Sequence, residues 1–233
     1  MIGGPNMAAV IPFMGAPFGC IASQLGRVGF FASFDSDKTR AYAVTCSHNL
    51  APLYSSAVTK PSANLQDQCE VYLPKNMLGD ENLIGYRTWA STLRQDVPVD
   101  FDCGITRLTV HPSLSIGTQF VNTKWIDTRL PDDLLLIVGS QSIPGTLNGQ
   151  DSSSQDLAIP GLDGKFSYNN LYSVDYSQPG QTGPPIAEGM SGAPVLSNDG
   201  VLVGMHIAGQ DATGYFYRAD EMLRWMGMDI YQS

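Results

Sequence analysis

Three stretches carry residue types that could do chemistry together, and the one around Ser191 is the most telling. Gly189-Met190-Ser191-Gly192-Ala193-Pro194 precedes an apolar run, and Asp199-Gly200 then separates that run from Val201–Gly209. Asp-Gly between two apolar runs reads as a β-hairpin turn, so Ser191 sits in a glycine-flanked turn just ahead of a strand. Glycines there let the backbone bend sharply and bring amide N–H groups toward one point. A hydroxyl beside converging amides suits acyl transfer, which needs a nucleophile and a place for the oxyanion. An ordinary structural turn uses the same residues. The Gly-x-Ser-x-Gly elbow of the α/β-hydrolases is not matched, because Ala193 holds its last glycine position, and that arrangement also wants its acid and histidine after the serine.

The candidates here lie before it. There are three histidines, His48, His111 and His206. His48 follows the apolar Val44-Thr45-Cys46-Ser47. Asp102 is followed by small and then apolar residues, Cys103-Gly104-Ile105. Asp100 is the alternative acid, but Phe101-Asp102 does not give it that continuation. His111, before Pro112, carries no motif and reads as a surface residue. Cys46 and Cys103 flank two of these residues. With His48 they lack structural zinc spacing, and they read as small buried side chains.

These residues need a frame of strands. Val28–Phe34 and Arg40–Cys46 read as a hairpin turning at Asp35–Lys38, with His48 at its end. Cys69–Leu73, Leu83–Thr88 and Cys103–Val110 follow as β-like runs; Leu134–Gly139 and Phe166–Tyr176 continue the style in the second half. Short strands with frequent turn signals and no long helical period predict an all-β sandwich or barrel. Residues 1–26, rich in Gly, Ala and Pro, read as an irregular surface arm, and 140–164 as a long loop. Residues 112–131 are the candidate bridge between halves. Tyr215–Arg218 reads as the last strand, and the helix after it takes Asp220 as N-cap, with Met222, Trp225 and Met226 on one face.

The 233 residues suffice for one all-β domain with a sizeable core. Thirteen Lys and Arg against twenty-two Asp and Glu give a net charge of −9, which argues against nucleic acid or an anionic membrane as main partner. No apolar run is long enough to span a membrane. The apolar stretch at 7–22 is broken by Pro and Gly, has no Lys or Arg before it, and does not read as a signal peptide. The four cysteines, Cys20, Cys46, Cys69 and Cys103, permit two disulfides in three connectivities without showing a framework. Free thiols and a cytoplasmic setting are the expectation.

Taken together, the motifs resemble those of the trypsin-like, chymotrypsin-fold serine peptidases. Val44-Thr45-Cys46-Ser47-His48 is similar to Val-Thr-Ala-Ala-His. Asp102-Cys103-Gly104-Ile105 is similar to Asp-Ile-Ala-Leu, and Gly189–Pro194 to Gly-Asp-Ser-Gly-Gly-Pro. Gly214–Arg218 and the terminal helix resemble that family's closing strand and helix. The resemblance spans about 25–230 and implies two antiparallel six-stranded β-barrels with a C-terminal α-helix. The barrels would cover about 25–112 and 118–218 and the helix 219–228, in one peptidase unit of 1–233. It implies that His48, Asp102 and Ser191 form the triad, that the Gly189 and Ser191 amides form the oxyanion hole, and that a polypeptide is the substrate, with no metal or organic cofactor. Met190 stands where secreted trypsins carry the aspartate that receives a newly cut N-terminus. The nearer likeness is therefore to bacterial and viral enzymes that fold directly in active form.

Gly204-Met205-His206-Ile207-Ala208-Gly209 resembles the strand of picornavirus-type main proteases and staphylococcal glutamyl endopeptidases whose histidine lies in the primary specificity pocket. His206 follows Ser191 at the separation of the staphylococcal group. The resemblance implies cleavage after Gln or Glu, with Ile207 and Gly209 offering backbone groups to an extended substrate. Ile186 stands where those families often place a second donor, a threonine. His206 as a core histidine stays open, as does a catalytically inactive protease-fold binding protein or an esterase on the same machinery.

Overall fold

The computed structural model describes residues 12, 14–20, 26–50, 60–73, 83–113, 115–116, 119–120, 122–125, 129–151, 153–159, 162–176 and 189–231. In chain order the first half contributes β1 (Pro17–Cys20), β2 (Gly26–Arg27), β3 (Phe30–Phe34), β4 (Asp37–Thr45), α1 (Ser47–Leu50), β5 (Cys69–Tyr72), β6 (Leu83–Ala90) and β7 (Gly104–Leu108). Their sheet runs β3-β4-β7-β6-β5-β1-β2, every pair antiparallel. β2 and β3 are one run of chain, interrupted at Val28 and Gly29. Val28 N–H bonds Ala16 O at 2.9 Å on one side and Gly29 N–H bonds Val44 O at 2.8 Å on the other. The run therefore joins both edges and closes the sheet into a six-stranded barrel, which removes its exposed edges.

The second half adds the short β8 (Ser115–Ile116), β9 (Gln119–Phe120) and β10 (Asn122–Trp125), then β11 (Asp133–Val138), β12 (Gln141–Gln150), β13 (Gln155–Ala158), β14 (Lys165–Tyr168) and β15 (Tyr172–Asp175). After these come β16 (Pro194–Ser197), β17 (Val201–Gln210), β18 (Thr213–Arg218), α2 (Ala219–Met226) and β19 (Met228–Ile230). The order β17-β16-β11-β12-β15-β18 closes through β17–β18 into a second six-stranded antiparallel barrel. The expected pair of barrels is present, with one parallel addition, β10 alongside β17. β13 and β14 form a separate hairpin.

Each barrel is filled by its own inward residues. Leu134, Leu136, Val174, Val195 and Phe216 form the second core. The first core is continuous with the seam where the barrels and α2 meet. There the Trp225 ring lies 5.9 Å from Trp89 and 5.4 Å from Phe101, and Phe101 lies 5.0 Å from Tyr217. Phe101 immediately precedes Asp102, so this aromatic stack sets the backbone that carries the acid.

Several local expectations are corrected. The arm at 1–26 contains β1, which pairs with β5, and buries Met14 and Ala16. Pro17 is tolerated because it opens the strand. Residues 140–164 hold β12 and β13. β12 is a strand whose Ser142, Pro144, Thr146, Asn148 and Gln150 face solvent while Gly145 and Gly149 take inward positions, so its composition imitates a loop. Phe166–Tyr176 divides into β14 and β15 at Asn169-Asn170, with Asn170 in the left-handed region at φ +58°. The helix is capped by the extended Arg218, not Asp220, and ends at Met226 because Gly227 adopts φ +67°. Asp220 lies inside the first turn, where Arg218 Nε holds it at 2.8 Å. β18 is not the last strand: β19 returns the chain to β3. The first barrel thus recruits β1 and β19 from outside 25–112.

Trp89 is fully buried between the first barrel and α2. Trp89→Ala should destabilise the protein by about 3–5 kcal/mol, measured as a lowered urea midpoint.

Candidate active site

β4 and β7 are antiparallel neighbours with Thr45 opposite Gly104. Residues just after β4 and just before β7 therefore emerge at the same end of the sheet. The chain leaving β4 turns at once into α1, which carries Ser47 and His48, while Asp102 precedes β7. The backbone ahead of β7 is fixed by Ser91, which accepts at Oγ from Cys103 N–H (3.1 Å) and donates its own N–H to Cys103 O (2.8 Å).

Asp102 has no solvent exposure. One of its oxygens, Oδ2, is 2.6 Å from His48 Nδ1. The other, Oδ1, accepts from Ser47 N–H at 2.7 Å, Ser47 Oγ–H at 2.6 Å and His48 N–H at 3.3 Å. Burial by itself pushes this carboxyl up. The His48 charge and the bonds from His48 and Ser47 outweigh it and hold the group below its ordinary value. A carboxylate bonded to Nδ1 fixes the imidazole plane and places that proton on Nδ1. The opposite nitrogen, His48 Nε2, is buried and has no hydrogen-bond partner among the described residues.

Ser47 is next to His48 but is not placed to be its nucleophile. Its hydroxyl is fully buried and donates to the carboxylate, on the Nδ1 side of the ring. The Ser191 carbonyl accepts from Asn49 Nδ2 at 2.8 Å and from Arg27 N–H at 2.9 Å, which ties the Ser191 turn to the residue following His48. Ser191 Oγ does not hydrogen-bond Nε2; catalytic hydrogen bonds often tighten only with substrate in place. Gly189 and Gly192 both lie in the left-handed region, at φ +85° and +90°. A Cβ at Gly192 would come within 2.3 Å of Arg27 O, so glycine is required both by conformation and by close approach.

His206, on β17, holds this turn through its backbone: its N–H bonds Ala193 O at 2.8 Å and its carbonyl accepts from Gly192 N–H at 2.7 Å. Its side chain is 1% exposed, with Nδ1 buried and unpartnered. The ring meets Tyr176 edge-on at 6.5 Å, and the Tyr176 hydroxyl is likewise buried without a partner. Burial, assisted by nearby His48, pushes His206 down to about 3, so it is neutral. At Ile207 the register between β17 and β18 shifts, leaving this residue opposite no partner in the ladder, while Gly209 is paired with Gly214 and exposed. Ile186 lies outside the described residues, and His111 is exposed as expected.

The ligand atoms of Cys46, His48 and Asp102 lie within 4.8 Å of one another. The Cys46 thiol donates to His206 O at 3.4 Å, and burial pushes it and the Cys103 thiol well above their ordinary range. These are protonated packing groups between the barrels. Sequence reasoning missed Arg27, Ser47, Asn49 and Tyr168. The last is a fully buried tyrosine close to Asp102, its hydroxyl pushed above its ordinary range by burial and by the Asp102 charge. For Ser47 and Asn49 the adjacency to His48 was a usable signal. For Arg27 and Tyr168 there was none.

No protein-family model matches the sequence, and no curated protein does. Solved structures do match. A glutamic-acid-specific serine protease described as using a histidine triad in substrate binding superposes with a TM-score of 0.60. That match has 15% identity and covers 94% of this chain and all of the other. Chymotrypsin from Cellulomonas bogoriensis gives a TM-score of 0.53 at 13% identity, over 96% of this chain and all of that one. The chain has the chymotrypsin fold. In this fold His48 and Asp102 come from the first barrel and Ser191 from the second, with α1 and the 189–192 turn facing each other across the seam.

The buried neutral His206 gives the chymotrypsin fold here a pH signature. Between pH 6.5, its ordinary value, and about 3, the unfolded chain takes up a proton that the folded chain refuses. Stability therefore falls on acidification through that window, by up to about 1.4 kcal/mol per pH unit. His206→Gln should flatten this slope in urea unfolding at pH 7, 5 and 4. Parallel curves for the two proteins would remove His206 as its source.

Proposed function

We propose that this chain is a serine endopeptidase, with His48, Asp102 and Ser191 as its triad. The carrying observation is the fixed imidazole. Asp102 grips Nδ1, Nε2 is unoccupied, and the Ser191 turn is hydrogen-bonded to the residue next to His48. Ser191 Oγ attacks the scissile carbonyl while His48 Nε2 takes its proton and returns it to the leaving amine. Asp102 keeps the tautomer and stabilises the imidazolium. The developing oxyanion is received by the amides of Gly189 and Ser191, a contribution whose loss costs about 3 kcal/mol in comparable sites. The acyl-enzyme is then hydrolysed by water through the same base.

The substrate lies extended along β17. Supporting this are the register shift at Ile207 and the exposure of Gly209 beyond it. The side chain before the scissile bond is Gln or Glu, recognised by His206. This reading draws on the two buried unpartnered atoms, His206 Nδ1 and Tyr176 Oη, and on the glycine that packs against both rings. A Cβ at Gly214 would come within 3.1 Å of His206 and 2.5 Å of Tyr176. A glutamic-acid-specific protease among the structural matches points the same way.

Ser191→Ala should lower kcat by roughly 10⁶, His48→Ala by a similar factor, and the double variant by little more, because triad members act as a unit. Peptidase activity surviving Ser191→Ala in a homogeneous sample would dismiss the mechanism. In a peptide library, cleavage should follow Gln or Glu, and the preference should weaken in His206→Ala. A dominant preference for Arg, Lys or large aromatics that His206→Ala leaves unchanged would take His206 out of the pocket.

A further inference from the structure

The turn that carries Ser191 is built from residues that bend easily. Gly189 and Gly192 both sit at positive φ, and glycine interconverts between such conformations at low cost. A peptide plane in such a turn rotates readily unless its carbonyl or N–H is held from outside. An oxyanion hole formed by the Gly189 and Ser191 amides exists only while those planes point one way.

Each successive plane is held. The Gly189–Met190 plane is held at Gly189 O by Arg27 Nε, at 3.0 Å. The Met190–Ser191 plane is held at Met190 O by Ala193 N–H, at 2.9 Å, within the turn itself. The Ser191–Gly192 plane is held at Ser191 O by Arg27 N–H and Asn49 Nδ2, and at Gly192 N–H by His206 O. One residue of the first barrel therefore holds the planes on both sides of Ser191 N–H, using its backbone for one and its side chain for the other. The guanidinium is itself anchored: Nη1 donates to Gly15 O at 3.3 Å. Gly15 bonds Val28 O through its own N–H and receives Gly139 N–H from the second barrel. Arg27 makes no ion pair among the described residues, and its side-chain donors are directed at main-chain carbonyls. A fork of rigid N–H donors suits this task better than an ammonium, because two carbonyls in different directions are met at once.

We infer that Arg27 is a positioning residue for the proposed peptidase, a clamp from the first barrel that keeps the Ser191 turn in its oxyanion-binding form. Its side chain touches no reacting atom. Arg27 acts through the Gly189–Met190 and Ser191–Gly192 planes, which flank the Met190–Ser191 peptide and so set the direction of the Ser191 N–H in the oxyanion hole. The inference rests on the peptidase reading above and adds to it a residue from outside the triad and the pocket.

The test compares wild type, Arg27→Met and Arg27→Lys, with Ser191→Ala as control. The readouts are steady-state kinetics on a cleaved peptide and the rate of labelling by a fluorophosphonate, which reacts at an activated serine. Arg27→Met keeps the apolar stem and removes the donors. It should lower kcat and the labelling rate about 10- to 100-fold, with KM changed less than about threefold, because what is lost is felt in the transition state. Arg27→Lys, with charge and a donor but no fork, should fall between. Should Arg27→Met fail to fold, Arg27→Lys decides alone: a slowed kcat with intact KM supports the clamp, and a wild-type kcat overturns it. Wild-type rates in Arg27→Met, or a rise in KM that accounts for the whole loss, would likewise overturn it. If wild type itself is not labelled, or Ser191→Ala is labelled equally, the peptidase reading fails instead.

Discussion

A carboxylate without solvent exposure is the constraint on which this structure turns. An ion of that size transferred from water to a dry interior costs of order 20 kcal/mol before compensation. Asp102 meets that cost with four hydrogen bonds, all from two adjacent residues, Ser47 and His48. They reach it only because α1 begins immediately after β4 and because β4 and β7 are neighbours in register. The aromatic stack of Trp89, Phe101, Trp225 and Tyr217 packs beside the same place. The same low dielectric that makes the ion costly also strengthens its hold on the imidazole. Structure and chemistry thus share one interaction: the bond that compensates the buried charge also aims the base.

Of the hydrogen bonds that bind the second barrel to this arrangement, those at two places bear on Ser191 and Asp102. One is the Ser191 turn, seated on Arg27 and Asn49. The other is the hairpin of β13 and β14, which grips the loop bearing the acid: Val99 N–H bonds Ser167 O at 2.8 Å and Asn169 N–H bonds Val99 O at 3.0 Å. The loop bearing Asp102 and the turn bearing Ser191 are thus each held by the barrel that does not carry them. This crossed attachment explains how groups far apart in the chain keep a fixed geometry across a seam.

Much of this was legible in the sequence, for identifiable reasons. His48 and Asp102 stood at the ends of apolar runs, and strand ends in a closed barrel converge. The glycines around Ser191 announced a turn with positive φ. What was hidden depended on distant pairing. β1 lies in a Gly- and Pro-rich arm that becomes a strand only because β5 and β2 offer it partners. β12 alternates in burial, but glycines take two of its inward places beside Ile143 and Leu147, so the apolar alternation is too thin to mark it. Arg27 looked like any surface arginine between two turns, and its role appears only once Gly189 is brought against it. Ser47 was marked by its place beside His48, but what it bonds appears only once Asp102 is brought to its hydroxyl.

The account stands or falls on the state of the His48 ring, and proton NMR of the intact protein reads it directly. The Nδ1 proton, shared with a buried carboxylate, should give a far-downfield, slowly exchanging signal at neutral pH. That signal should persist in Ser191→Ala and vanish in Asp102→Asn. A ring protonated at Nε2, or a spectrum in which Asp102→Asn changes nothing, would contradict the claim that Asp102 holds His48 as a base directed toward Ser191.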